Sequence, residues 1–204
     1  MTILVNGYCT LDELKAPGRL DIGDNDSIDD THLESVITAV SRCIDADRNR
    51  RFYAVSETRY YTPETALFVP VDDLLSVTTL KTDENGDGTY ERTWATTDYY
   101  LYPYNAVVNG RSYIAIERSL LSNYLFTRVR KSVEIAGSFG YSTTTPAAIK
   151  EACLLICARV WGRNKKPYGI SGSADLGTLE VINAVSKDDE IQKLLNTIKR
   201  RVLP

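Results

Sequence analysis

The hydrophobic positions of this chain change period twice, from helical to alternating and back. Leu33, Val36, Ile37, Val40 and Ile44 recur at helical spacing and predict a helix over 31–51. Ahead of it, Thr10-Leu-Asp-Glu13 fits a capping box and opens a short helix near 11–16, which Pro17-Gly18 ends. An aspartate-rich loop over 21–30 then leads to an N-cap at Asp29 or Asp30. Past residue 51 the runs become short and are bounded by turn residues. Phe52–Tyr61, Ala66–Val69, Leu74–Lys81, Thr89–Trp94, Asp98–Tyr102 and Tyr113–Glu117 read as strands, with a further strand at Ser132–Phe139. Asn85-Gly86, Asp87-Gly88 and Asn109-Gly110 supply the positive φ angles of tight turns.

The helical period returns after Thr145-Pro146. Ile149, Ala152, Cys153, Ile156, Cys157 and Val160 form one stripe, and Leu154, Leu155 and Trp161 widen it. A helix over 146–163 that is apolar on most sides is central, or is packed against both its own core and a neighbour. Lys165 to Thr178 reads as a glycine-rich loop. A last helix near 187–201 carries the stripe Ile191, Leu194, Leu195, Ile198 and Val202, with acidic residues in its first turn and Lys199, Arg200 and Arg201 in its last. The expected class is therefore α+β. A helical body within a single domain over 1–204 carries a small antiparallel sheet inserted at 52–118. The terminal helix, 187–204, either docks on its own domain or reaches a partner.

Composition adds limits. The 204 residues, 43% hydrophobic and 25% charged, suit one domain that folds without disulfides. No apolar run approaches the roughly 20 residues that span a bilayer, and Met1–Gly7 lacks the features of a signal peptide. The net charge of −3 hides an asymmetry. Residues 1–117 hold 10 basic and 20 acidic side chains, whereas 118–204 hold 14 and 7. Either the surface is unevenly decorated, or an acidic face of one copy meets a basic face of the next. Basic clusters at Arg128, Arg130 and Lys131 and at Arg159, Arg163, Lys165 and Lys166 sit in a chain of pI about 5.3, which favours solvated surface or protein contact over a phosphate-binding face.

Chemical motifs are few. Asp83-Glu-Asn-Gly-Asp-Gly88 matches the start of a calcium loop, which would use Asp83, Asn85 and Asp87. The pattern fails at its twelfth position, where Trp94 stands in place of a bidentate glutamate, and a hairpin turn explains the same residues. The one histidine, His32, opens a helix with no triad partner nearby, and no phosphate loop, dinucleotide fingerprint or nucleophile elbow is present. Asp72-Asp73 is not a carboxylate dyad, because neighbours on a strand point to opposite faces. An enzyme is not expected, and no cofactor is called for. Cys153 and Cys157 share a helix face and could ligate a metal if further ligands joined them, but two small apolar core residues is the simpler reading. Nine of the thirteen tyrosines fall between Phe52 and Glu117. Tyrosine gives stiff, half-polar contact area, so Tyr99, Tyr100 and Tyr102 are candidate partner contacts.

The order of parts resembles the head–tail connector, or adaptor, proteins of long-tailed double-stranded DNA bacteriophages. The likeness runs through Leu11-Asp-Glu-Leu14, the helix from Leu33 to Arg51 leading into Phe52-Tyr53, and the insertion with Leu74–Leu80, Asp87–Glu91 and Asp98–Pro103. It ends in the late helix from Pro146-Ala-Ala-Ile-Lys-Glu-Ala152, so it covers roughly residues 8–165. The resemblance implies a ring, usually dodecameric, docked under the portal protein at the head–tail junction of a virion assembled in the host cytoplasm. A stopper or tail-side protein would bind its other face, and DNA would pass through its channel without specific binding. It implies no catalytic residues. C-terminal elements embrace the portal in such proteins, which makes Ile191, Leu195, Ile198, Lys199, Arg200 and Arg201 candidate contacts, and the insertion over 72–117 would meet subunits or tail. A calcium-ordered, tyrosine-lined binding module and a neighbouring stopper or tail-completion protein are the alternatives.

Overall fold

The computed structural model describes residues 5–23, 27–106, 108–164, 170–171, 180–181 and 189–198. Their contacts divide the chain into two units, Met1–Asn49 with Thr145–Pro204, and Arg50–Thr144. The expected α+β class is what is found.

The first unit is helical. Helix α1 spans Leu11–Lys15, and its capping box is complete: Glu13 N donates to Thr10 Oγ1 at 3.1 Å and Thr10 N to Glu13 Oε2 at 2.9 Å. Helix α2 spans Asp30–Arg48 and buries the predicted stripe. It stops short of residue 51 because Asn49 takes the left-handed conformation (φ 49°) that ends helices. Helix α3, Ala147–Asn164, buries Ile149, Ala152, Cys153, Leu154, Ile156, Cys157 and Trp161. Helix α4, Asp189–Asn196, buries Ile191 and Leu195. Its end at Asn196 falls short of the expected 201: Thr197 and Ile198 follow it in a turn, their N–H groups bonding Leu194 O and Leu195 O. Arg48 holds α4 to α2 through Gln192 (3.1 Å) and Asn196 (3.0 Å). The Cys153 thiol is held well below its ordinary value because the neighbouring Cys157 and Cys9 thiols hydrogen-bond it. Ile170–Ser171, inside the stretch expected as a loop, pairs with Glu180–Val181 just past it as a two-residue ribbon.

The second unit is one six-stranded antiparallel sheet. Its strands are β1 (Val55–Tyr61), β2 (Phe68–Thr82), β3 (Arg92–Trp94), β4 (Tyr99–Tyr102), β5 (Tyr113–Arg118) and β6 (Val133–Phe139). The order is β1-β6-β2-β5-β4, with β3 also on β2. The runs Ala66–Val69 and Leu74–Lys81, expected as two strands, are one strand that continues through Pro70 with a register shift between Pro70 and Leu74. Alternation is cleanest in β6, whose Val133, Ile135 and Phe139 join Val69, Leu74, Leu80, Trp94, Ile116 and Phe126 in the core.

Asp73 sits in that register shift, where a bulge re-aims a side chain. Its carboxylate takes a bidentate bond from buried Arg50 (2.6 and 2.9 Å) and one from Ser112 Oγ (2.5 Å), while its carbonyl accepts from Gly140 N. Arg50 lies over the Tyr141 ring at 4.6 Å, and Tyr141 N bonds Arg51 O. Gly140 (φ +138°) lets the backbones touch, since a Cβ there would stand 2.0 Å from Tyr53 O. Asp72 points the other way, to Arg59 and Tyr61, as strand geometry requires. Among the described residues no helix is long and apolar enough to cross a membrane.

Two outcomes are expected. Asp73→Ala strands the Arg50 charge in a buried site and should cost about 3–5 kcal/mol; urea denaturation of the full chain measures it, and a loss below about 1 kcal/mol would refute the role. Lys150 and the Thr10 N–H hold the Glu13 carboxylate below its ordinary range. A depressed folded value gives stability that is present above the usual glutamate pKa and is lost as pH falls through the folded one. The pair is exposed, so the effect is under about 1 kcal/mol. Amide exchange at Glu13 and Leu14, corrected for intrinsic rate, should quicken over that acid range and lose the extra pH dependence in Glu13→Gln.

Candidate assembly surface

The calcium-like string is the β2–β3 turn. Buried Asp83 accepts from the N–H groups of Asn85 (3.1 Å), Gly86 (2.6 Å) and Gly88 (2.8 Å), and both glycines have positive φ. Asn85 donates its side-chain N–H to Asp87 and to Glu91, each at 3.1 Å. The carboxylates of Asp83, Asp87 and Glu91 do converge, and Glu91, at the ninth position of the string, was not singled out from sequence. The lone pairs are already met by turn donors, and Asn85 offers them an N–H rather than an oxygen. The Thr89 backbone N–H holds the Asp87 carboxyl below its ordinary value. Trp94, which occupies the position of the missing ligand, is a core residue. It stacks on Phe126 (4.4 Å, 6°) and donates from Nε1 to Thr82 Oγ1 at 3.0 Å.

The tyrosines of edge strand β4 divide as an alternating strand must. Tyr99 is buried, and burial raises its phenol pKa. Tyr100 is exposed, and Tyr102 is half-buried. Tyr100 and Tyr102 both pack edge-on against Tyr104, and Tyr102 does so against Phe68. Tyr104 bonds Glu117, which raises its phenol pKa. Tyr99, Tyr100, Leu101, Tyr104 and Tyr113 wall a groove of about 560 Å³.

A leucine patch shares this end of the sheet. Leu120 and Leu121 are 89% and 86% exposed, with Leu67 and Leu125 about half exposed. They are fixed there: Arg118 donates to Tyr124 O (2.7 Å) and to Ser122 O, Phe126 N bonds Ala66 O, and Ser119 Oγ reaches Tyr100 Oη at 3.5 Å. Exposed leucines on an ordered loop make this a candidate contact surface. The sequence signal was the pair Leu120-Leu121 in a polar stretch, which its reading passed over.

Of the other predicted contacts, Ile191 and Leu195 lie in the core of the first unit and Ile198 is half-buried after α4. Lys199, Arg200 and Arg201 lie outside the described residues. His32 is exposed, with its ring 5.8 Å from Trp161.

The fold has solved counterparts. The chain matches a chain in the neck of an empty GTA (gene transfer agent) particle computed with C6 symmetry, with a TM-score of 0.52 at 19% identity over 90% of this chain and 87% of that one. A chain in the neck of a native GTA particle computed with C12 symmetry matches at 0.49 and 17%, over 84% of each. No protein-family model matches the chain, and no curated protein does. At such identities the likeness is one of fold.

Because the Asp83 carboxylate organises the turn, Asp83→Ala should cost about 1–3 kcal/mol by leaving three N–H groups without their acceptor. Millimolar calcium should leave the denaturation midpoints of parent and variant unchanged. A calcium-dependent rise in the parent alone would overturn this reading of the loop.

Proposed function

We propose that this chain is a structural, non-enzymatic neck protein of a tailed, phage-like particle, a ring-forming connector at the junction of head and tail. The observation that carries the reading is a fold held in common, over nine-tenths of the chain, with a neck chain of a GTA particle. The order of helices and strand insertion that resembles the bacteriophage head–tail connectors supports it independently. In this reading copies of the chain form the ring, a portal protein lies on one side and a stopper or tail protein on the other. DNA passes through the channel without specific contact.

The exposed end of the sheet suits such a role. Tyr100, Tyr102 and Tyr104 with Leu120 and Leu121 give a rigid apolar patch, and the acidic first half and basic second half of the chain give neighbouring copies a means of alignment. Within residues 187–204, α4 packs on its own unit, so Ile198, Lys199, Arg200 and Arg201 are the portal-side contacts in this reading. Charge would set orientation and encounter, and the apolar patch would supply affinity.

The test is assembly. Purified chain is mixed with the portal protein of the same genome and followed by mass measurement and negative-stain microscopy. Rings are expected. Leu120→Asp with Leu121→Asp should weaken assembly about tenfold or more, since losing a hot spot costs more than ~1 kcal/mol, while melting stays as in the parent. Absence of any ring, with a portal that still engages its other partners, would end the proposal.

A further inference from the structure

Three of the four cysteines meet in the first unit. Cys9 precedes α1, and Cys153 and Cys157 are one turn apart on α3. Their sulfurs stand 3.6 Å (Cys9 to Cys153) and 4.0 Å (Cys153 to Cys157) apart, and all three lie within 4.8 Å of one another. All three side chains are buried, at 3%, 0% and 0% exposure, whereas Cys43 is exposed. The condition that the sequence left open, a further ligand beside Cys153 and Cys157, is met by a residue 144 positions away.

The spacing suits a metal. Two sulfurs on one tetrahedral zinc-type ion, each bonded at ~2.3 Å, are separated by roughly 3.8 Å. A disulfide would need ~2.05 Å. The polar surroundings are also built. Ser41 Oγ lies 3.7 Å from Cys153 Sγ, and is fixed by accepting from Tyr8 N (3.1 Å) and donating to Ile37 O (2.7 Å). The Tyr8 backbone also hydrogen-bonds Cys153, and Cys9 and Cys157 each face Cys153.

We propose that Cys9, Cys153 and Cys157 bind one thiophilic divalent cation of the zinc group through three thiolates. Soft sulfur donors exclude calcium and magnesium, which take oxygen. A divalent ion fits better than a monovalent one. Three thiolates and a divalent ion leave one net negative charge in a buried site, and a monovalent ion would leave two. Binding forms three metal–sulfur bonds, and whatever protons the sulfurs carry leave to solvent; no electrons move. Water takes the fourth position, as it does where zinc has three protein ligands. The ion would tie the segment before α1 to α3, so its binding energy becomes folding energy for this unit. The site stands on the first unit alone and does not depend on the neck reading.

The test uses full-length protein, reduced and stripped with chelator, and cadmium as the probe. Titration followed in the ultraviolet should show a thiolate-to-metal charge-transfer band that saturates at one equivalent. Cys43→Ser should keep the band, and Cys9→Ser and Cys153→Ser should each lose it. Zinc should displace cadmium and raise the melting temperature of the parent and of Cys43→Ser alike. The Cys43→Ser protein decides the matter even where the core variants fail to fold: reduced, folded Cys43→Ser that takes up no cadmium overturns the proposal. A Cys9–Cys153 disulfide that forms in air, in a protein whose reduced form ignores cadmium, overturns it too and assigns the cluster to redox chemistry.

Discussion

The sheet depends on one buried charge pair. Asp73 is the point where four segments meet: Arg50 from the start of the unit, Ser112 from the approach to β5, Gly140 from the end of β6, and β2, which carries Asp73 itself. A buried ion pair is weak evidence of net stability, because desolvation offsets much of the attraction. Its force here is specificity. Any register of β2 that does not deliver Asp73 to Arg50 leaves a guanidinium buried at 4% exposure without its counter-charge. The bulge between Pro70 and Leu74 is the backbone's answer to that demand, and the glycine at 140 allows the two ends of the unit to approach.

The same node explains what could be read from the sequence. Helices α1 to α3 were legible because their signals are local: a capping box, a stripe at period 3.6, a proline at the start. The hairpin glycines were legible for the same reason. The break expected between Val69 and Leu74 was wrong because Pro70 and Asp72-Asp73 look like a turn when read locally. A strand continues through them only because Asp73 has a distant partner. Trp94 showed what the loop lacked, but its stacking on Phe126 is 32 residues away in sequence and has no periodic signature. Lys199 to Arg201 stay where the sequence left them.

The candidate surface follows from how the sheet ends. Strand β4 is an edge strand of four residues, too short to template open-ended pairing, so its side chains rather than its backbone are what it can offer a partner. Tyr99, Tyr100 and Leu101 all line the groove, Tyr99 buried and Tyr100 exposed, while Arg118 pins the loop that carries Leu120 and Leu121. A rigid display loses little entropy on docking.

Two groups of potential ligands occur among the described residues, and they differ in what already occupies their lone pairs. Buried Asp83 and exposed Asp87 and Glu91 sit on a turn whose own N–H groups and amide bond them, so a cation would have to displace a satisfied network. The three sulfurs are the reverse case. They are buried and bond weakly to one another, and Cys153 alone has further partners, the Ser41 hydroxyl and the Tyr8 backbone. Sulfur is a poor hydrogen-bond acceptor and a good soft-metal ligand, so the sulfur cluster has the most to gain from an ion. The loop that resembles a metal site in sequence is therefore a turn, and the pair that resembled plain core becomes a ligand set once Cys9 joins it.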